Sequence, residues 1–160
     1  MQIREVMTKE VKTCHTDTNL AEAAKIMWEN DCGVVPVVDN DNQVLGLLTD
    51  RDICMAVATK NRLASDVKAG EIITGKVYGC SPDEDVDNAL KIMELMQVRR
   101  IPVYSKDHSL QGILSLNDLI IKAEKSGKPL GSISYDVVIQ TLKGISESPK
   151  QGWKERSSTA

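Results

Sequence analysis

The chain has 160 residues, enough for one or two small domains with a hydrophobic core of their own. Its 20 basic and 23 acidic residues leave a net charge of −3, which argues against a general nucleic-acid binder. Two Trp, three Tyr and no Phe are too few rings for a surface that stacks single-stranded bases. The core must therefore be built from aliphatic side chains.

The cellular setting is predicted from what the sequence lacks. The longest apolar stretches fall far short of the roughly 20 residues that a membrane-spanning helix requires, and charges occupy the first ten residues where a signal peptide would be apolar. Four cysteines show no metal-ligand spacing, and each lies in an apolar segment, which predicts four small buried side chains: Cys14, Cys32, Cys54 and Cys80. We expect a protein of the reducing cytoplasm, with no membrane or metal partner.

An internal repeat organises the chain. Residues 6–55 align with residues 72–121 without a gap at an offset of 66, and 14 of the 50 pairs are identical. The identities include a Pro-Val pair at Pro36 and Pro102 and an Asp at Asp52 and Asp118. Self-similarity of this kind indicates two copies of one structural unit.

The first copy predicts, in chain order, a strand at residues 11–14, a helix, a strand at residues 34–38, a turn and a strand at residues 43–49. In the helix, apolar residues recur at i, i+3, i+4 and i+7 from Leu20 to Met27, and Asn19 is suited to cap it. Thr49 is suited to cap a second helix. The Asp39-x-Asp41-x-Gln43 run favours a hairpin turn over a calcium loop, which would need a Gly and a distal Glu.

The second copy predicts the same elements, with a first strand at residues 77–80 and helices capped by Asp85 and Ser115. The predicted fold is α/β (α+β): two β-α-β-β-α repeats packed about a pseudo-twofold axis, because about 50 residues are too few for a comfortable separate core. The expected divisions are residues 1–58, a connector at 59–69, residues 70–124, and a C-terminal region at 125–160.

The C-terminal region is not duplicated. Residues 134–145 predict an amphipathic helix with Val138, Leu142 and Ile145 on one face. From residue 147 onward the composition is typical of a mobile tail, in which Trp153 is either passive or the anchor for a partner.

Two segments at matching positions of the repeats contain the residues that could bind a ligand. Thr49 and Ser115 each open a helix about 13 residues after a Pro-containing strand, and each is followed three residues later by Asp52 or Asp118. A hydroxyl and exposed N–H groups at a helix N-terminus suit a phosphate, and a carboxylate can accept ribose hydroxyls. The same spacing also forms capping boxes that bind nothing, so the repetition is what favours a nucleotide site.

The order GVVPVVD and GLLTDRDI, followed by RRIPVY and GILSLNDL, resembles a tandem cystathionine β-synthase (CBS) domain pair, also called a Bateman module, over residues 1–124. The resemblance implies a regulatory, signalling module, with no catalytic residues, that binds AMP, ATP, S-adenosylmethionine or NAD(H) in clefts between the repeats. It implies that Asp52 and Asp118 hold ribose, and that Thr49 and Ser115 face phosphate. It implies that the adenine is framed by Val35, Pro36, Ile101 and Pro102, with Thr13 and Gly79 nearby. The implied candidates for neutralising phosphate charge are Arg51, Arg99 and Arg100, and Asn117 is a further implied ligand contact at the second helix start.

The two copies differ at their clefts. Arg99 and Arg100 stand where the first copy has Gly33 and Val34, so the clefts need not bind the same ligand. The resemblance also implies a homodimer formed through the CBS helices and an effector protein. The alternative is an interaction scaffold with empty clefts whose C-terminal segment docks a partner. An enzyme acting on a nucleotide is the weakest alternative, since no catalytic arrangement can be placed.

Overall fold

The helices begin at the residues whose side chains can cap them. The computed structural model describes residues 1–74, 76–124 and 132–147. Asn19 caps α1 (Leu20–Glu29), Thr49 caps α2 (Asp50–Lys60) and Asp85 caps α3 (Val86–Met96). Ser115 caps α4 (Leu116–Lys122), and Ser134 caps α5 (Tyr135–Ser146). Each of these side chains accepts a backbone N–H that has no partner inside the helix, which confirms the predicted helix starts.

Two antiparallel strand pairs repeat the same register. In the first repeat β1 (Val34–Val38) pairs with β2 (Val44–Thr49), and in the second β3 (Arg100–Tyr104) pairs with β4 (Leu110–Ser115). The register shifts at the matching step in both pairs, between Val37 and Val38 and between Val103 and Tyr104. The α+β fold predicted from the duplication is confirmed.

The strand predicted at the start of each repeat is wrong in extent. Within the predicted segments 11–14 and 77–80, both of which the structure describes, only Cys14 and Cys80 form bridges, which run parallel to Val37 and Val103. Cys14 exchanges two backbone hydrogen bonds with β1, of 3.0 Å to the carbonyl of Pro36 and 2.9 Å from the N–H of Val38. A single point of pairing at the sheet edge is too short for a strand, although it fixes where each repeat enters its sheet.

Matching turns join the two repeats. Asn42 and His108, 66 residues apart, both have a positive φ, of 60° and 63°. The Asn42 carbonyl accepts the N–H of Leu110 at 3.0 Å, and the His108 carbonyl accepts the N–H of Val44 at 3.1 Å. Asp39 closes its own turn by accepting two backbone N–H groups, as predicted for a hairpin. The hairpins therefore meet tip to tip.

The repeats exchange the segments that enter them. Ile3, near the N-terminus, is fully buried in the core of the second repeat, and the N–H of Val86 in α3 donates to the carbonyl of Met1. Val67 is fully buried in the core of the first repeat, and its carbonyl accepts the N–H of Leu20 in α1. Each of the two cores is thus completed by a segment that lies before the other repeat in sequence.

Helix α5 lies on the second repeat, packed against α3 and α4. Val138 and Ile145 are buried in the core of that repeat, as predicted. Leu142, predicted on the same face, is exposed, and Thr141 takes the buried position. The predicted tail from residue 148 onward, with Trp153, lies outside the described residues.

The cysteines divide into two kinds, so the prediction of four buried side chains is wrong for two of them. Cys14 and Cys80 are buried, and burial raises the pKa of their thiols to about 11 and about 12. Cys32 is only partly covered. Cys54 is exposed because its neighbour Ile53 faces the core and successive helical residues point about 100° apart.

We expect iodoacetamide at pH 8 to label Cys54 rapidly and to leave Cys14 and Cys80 intact in the folded protein. The thiolate is the reacting species, and a raised pKa together with burial keeps both thiols protonated and covered at that pH. Peptide mass spectrometry measures the labelling at each site, and the protein unfolded in urea, where all four should react, is the control. Native-state labelling of Cys80 as fast as that of Cys54 would contradict the burial.

Candidate functional site

The two Thr/Ser-x-x-Asp segments fold into identical capping boxes. Asp52 accepts at Oδ2 the backbone N–H of Thr49 at 2.9 Å and the Thr49 hydroxyl at 2.6 Å. Asp118 accepts the corresponding groups of Ser115 at 2.8 and 2.7 Å. In return, each hydroxyl oxygen accepts the N–H of its Asp at 3.2 Å. The boxes hold both carboxylates at the first turn of a helix.

Capping uses only one oxygen of each carboxylate. All the side-chain bonds of Asp52 and Asp118 are made by Oδ2, and within the described ranges Oδ1 has no hydrogen-bond partner. Both side chains are half-buried rather than enclosed. The capping interpretation and the ligand interpretation are therefore compatible, since one oxygen fixes the helix start and the other can accept a hydroxyl.

A cavity of about 1540 Å³ lies at the first of these helix starts. One wall is the N-terminus of α2, with Thr49, Arg51 and Asp52. The facing wall belongs to the second repeat: residues 72–74 and 76–78 before its sheet, the C-terminal half of α3, and Arg99 and Arg100 at the start of β3. The cavity is thus shared between the repeats and not contained in either one.

The cavity mixes charges of both signs. Among the described residues, five cationic side chains line it: Arg51, Lys76, Lys91, Arg99 and Arg100. In the same part of the chain, four carboxylates lie among them: Asp50, Asp52, Glu94 and Glu147. The N-terminus of α2 adds its partial positive charge beside Asp52. This set suits a ligand that combines an anionic group with hydroxyls, because arginine and a helix start favour phosphate while a carboxylate accepts hydroxyl protons.

The structure brings together some of the predicted site residues and separates others. Thr49, Arg51, Asp52, Arg99 and Arg100 line the cavity. The other helix start, with Ser115, Asn117 and Asp118, is not part of this cavity. The two predicted phosphate and ribose segments therefore do not converge on one point.

The predicted adenine-framing side chains lie elsewhere. Val35 and Ile101 are fully buried in the two cores, so only their backbone atoms can reach a ligand. Pro36 and Pro102 are buried, and their carbonyls accept the N–H groups of Cys14 and Cys80. Val34 and Arg100, the first residues of β1 and β3, line the cavity, whereas the next residue of each strand faces a core because successive side chains point to opposite faces of a sheet.

The residues at the first bridges are close to the sheets. Thr13 is half-buried beside the bridging Cys14. Gly79 packs so tightly that a Cβ added there would lie 2.4 Å from both the Pro102 carbonyl oxygen and the Tyr104 ring. The absence of a side chain at Gly79 thus allows the chain to lie close to β3. Neither Thr13 nor Gly79 lines the cavity.

Sequence reasoning missed part of the lining. Val77 and Tyr78 of the second repeat line the same cavity as Thr49, and no sequence signal places them there. Gln97 and Glu147 also line the cavity, and the Gln97 Nε2 donates to the Glu147 carbonyl at 2.7 Å. Nothing in the duplication could reveal this contact, because α5 has no copy in the first repeat.

Similarity to known proteins extends over both repeats. The family model "CBS domain" matches twice, at residues 3–59 and 69–125. The chain is 36% identical over 138 residues to YlbB of Bacillus subtilis, covering 83% of this chain and 91% of YlbB. It is 33% identical over 116 residues to hypoxic response protein 1 of Mycobacterium tuberculosis, covering 72% of this chain and 80% of that protein.

No helix in the described ranges is long and apolar enough to cross a membrane.

Solved structures show the same arrangement. A structure of hypoxic response protein I with two coordinated zinc ions superposes with a TM-score of 0.71 at 31% identity, covering 78% of this chain and all of the other. The CBS domain pair of protein MJ0100, in complex with 5′-methylthioadenosine and S-adenosyl-L-methionine, superposes with a TM-score of 0.69 at 26% identity, covering 76% and 94%. Two family matches, the duplicated capping boxes and the shared cavity place the chain in the CBS domain family, as a tandem pair.

Proposed function

We propose that the chain is a regulatory module that binds an adenosyl ligand in the cavity between its repeats. The observation that carries the proposal is the placement of Thr49, Asp52, Arg99 and Arg100 around one cavity. The MJ0100 pair, which holds two adenosyl compounds, supports this class of ligand. The module acts on a partner or on its own assembly, and it has no catalytic role.

The charges of the cavity favour a ligand with phosphate. Arg99 and Arg100 are adjacent at the start of β3, where the first repeat has Gly33 and Val34. AMP, ATP and NAD(H) present phosphate to such a pair, whereas S-adenosylmethionine presents an amino acid group and a sulfonium. We infer that the second helix start, with Ser115, Asn117 and Asp118, serves a second cleft of lower positive charge, because Asn117 stands where the first helix start has Arg51. We also keep three predictions from the sequence as part of this proposal. They are the divisions after residues 58, 69 and 124, a cytoplasmic location and a homodimer.

Isothermal titration of the full chain with AMP, ATP, NADH and S-adenosylmethionine tests the function. The protein is first unfolded, freed of small molecules that co-purify, and refolded, so that an occupied cavity does not mask binding. We expect saturable heat with at least one ligand, strongest among those carrying phosphate. No heat with any of the four, in a sample whose circular dichroism shows it folded, would favour the empty scaffold and overturn the proposal.

A further inference from the structure

The first residue of α2 carries a negative charge that the matching helix does not have. Asp50 corresponds to Leu116, the first residue of α4, at the offset of 66. The backbone is held in the same way in both places. The N–H of Asp50 donates to the Gly33 carbonyl at 3.4 Å, and the N–H of Leu116 donates to the Arg99 carbonyl at 2.8 Å. The Leu116 side chain is nonetheless buried in the core of the second repeat, whereas Asp50 is exposed and lines the shared cavity.

The start of the helix does not require an acid at this position. Helix α4 forms the same capping box as α2, although it begins with Leu116. The Asp50 side chain takes no part in the box of α2, which is made by Thr49 and Asp52. A carboxylate in the first turn favours the helix dipole, but Asp52 already supplies one. The structure of the helix thus leaves the charge of Asp50 unexplained.

The Asp50 carboxylate lies beside the Arg100 guanidinium. A Cβ added to Gly33 would lie 2.9 Å from the Asp50 Oδ2 and 3.7 Å from the Arg100 Nη2. The two charged groups are therefore closer to each other than the roughly 8 Å over which physiological salt screens exposed charges. Among the ion pairs of the described residues there is none between them. The Arg100 guanidinium can thus still pair with an anion, but Asp50 weakens its attraction for one.

This pair of residues stands where two cavities adjoin. A smaller cavity of about 460 Å³ lies next to the shared one, and Asp50 and Arg100 are the described residues that line both. A phosphate chain bound at Arg100 therefore has the Asp50 carboxylate at its side, whichever cavity the chain extends into.

We propose that Asp50 limits the negative charge of the ligand, so that the shared cavity prefers a nucleoside monophosphate to the triphosphate. This inference rests on the proposed function, because it concerns the ligand of the same cavity. Arg99, Arg100 and the N-terminus of α2 attract the first phosphate. Each further phosphate adds negative charge, and the repulsion from Asp50 grows with the charge of the ligand.

Isothermal titration of the wild type and of Asp50→Asn with AMP and with ATP tests this preference. Divalent cations are removed, because they would neutralise the additional phosphates. We expect the wild type to bind AMP more tightly than ATP, and Asp50→Asn to lower the ratio of the ATP to the AMP dissociation constant about three- to tenfold. The change in this ratio should shrink as salt is added, because salt screens the charges.

The substitution is designed to leave the fold unchanged. Asparagine has the shape of aspartate, and its side-chain oxygen can still accept the Arg51 N–H that the Asp50 Oδ1 accepts at 2.7 Å. Circular dichroism should therefore show the same folding in the variant and the wild type.

Asp31→Asn supplies the matched control. Asp31 is exposed and lines the smaller cavity but not the larger one. Its φ of 47° is one that asparagine tolerates. The variant makes the same change in net charge, so it should leave the ratio of the two dissociation constants unchanged.

Three results would overturn the inference and leave the proposed function intact. They are a wild type that binds ATP more tightly than AMP, a ratio that Asp50→Asn does not lower, and a ratio that Asp31→Asn lowers equally. Absence of binding by both nucleotides would also overturn the inference, and titration with NADH and S-adenosylmethionine then decides whether the proposed function fails with it.

Discussion

Replacing Asp52 with alanine is expected to weaken adenosyl-ligand binding in the shared cavity by about 10- to 100-fold. A hydrogen bond to a charged group contributes about 1.5–3 kcal/mol, and each 1.4 kcal/mol corresponds to a factor of ten in affinity. The Oδ1 atom of Asp52 is the one that a ribose hydroxyl would use, since Oδ2 already bonds Thr49. Isothermal titration of the wild type and the variant measures the change.

Asp118→Ala is the matched control for the loss of the helix cap. Both variants remove the same capping box, so each should lower the free energy of unfolding by about 0.5–2 kcal/mol. Only Asp52→Ala removes a carboxylate of the shared cavity, and Asp118→Ala should therefore leave that affinity unchanged. Equal affinity in the wild type and both variants would refute the ribose role, whereas equal loss in both would show that affinity follows helix stability.

Replacing Leu114 with alanine is expected to lower the free energy of unfolding by about 2–5 kcal/mol, the range for a large buried aliphatic side chain. Leu114 lies in β4 and is fully buried in the core of the second repeat. The change removes apolar contacts and leaves a cavity that surrounding side chains only partly fill. Unfolding in guanidinium chloride, followed by far-ultraviolet circular dichroism, measures the loss.

Two further variants test whether the loss of stability depends on burial and whether it is the same in both repeats. Leu48 occupies the matching, fully buried position in the first repeat, and Leu48→Ala should have a similar effect. Leu95→Ala, at an exposed position of α3, should change the stability by no more than about 0.5 kcal/mol. Because the repeats exchange their entry segments, all variants should unfold in one transition. Two transitions, only one of which Leu48→Ala shifts, would contradict that coupling.

Local features were predictable because a few neighbouring residues determine them. Asn19, Thr49, Asp85 and Ser115 each cap a helix through a side chain that bonds an N–H two or three residues later. The strand pairs followed from β-branched residues on either side of turn sequences. The repeat itself predicted that the two copies share one register, and the matching bulges confirm it.

Features that depend on distant segments were not predictable in the same way. The capping pattern located Asp52, but only the fold shows that Val77 and Tyr78 of the other repeat face it. Val35 and Ile101 were predicted to frame adenine, and only the fold shows that their side chains are fully buried in the two cores. Helix α5 was predicted as a helix, yet nothing in its sequence shows which repeat it covers.

The exchange of entry segments also bears on how the chain folds during synthesis. The first repeat cannot complete its core until Val67 has left the ribosome, only a few residues after α2 ends. The second repeat needs Ile3, which by then has long been synthesised and must stay unpaired until α3 and β3 appear. Contacts between segments about 80 or more residues apart raise the contact order, which slows folding. The N-terminal segment therefore cannot complete the second core before α3 and β3 have been synthesised.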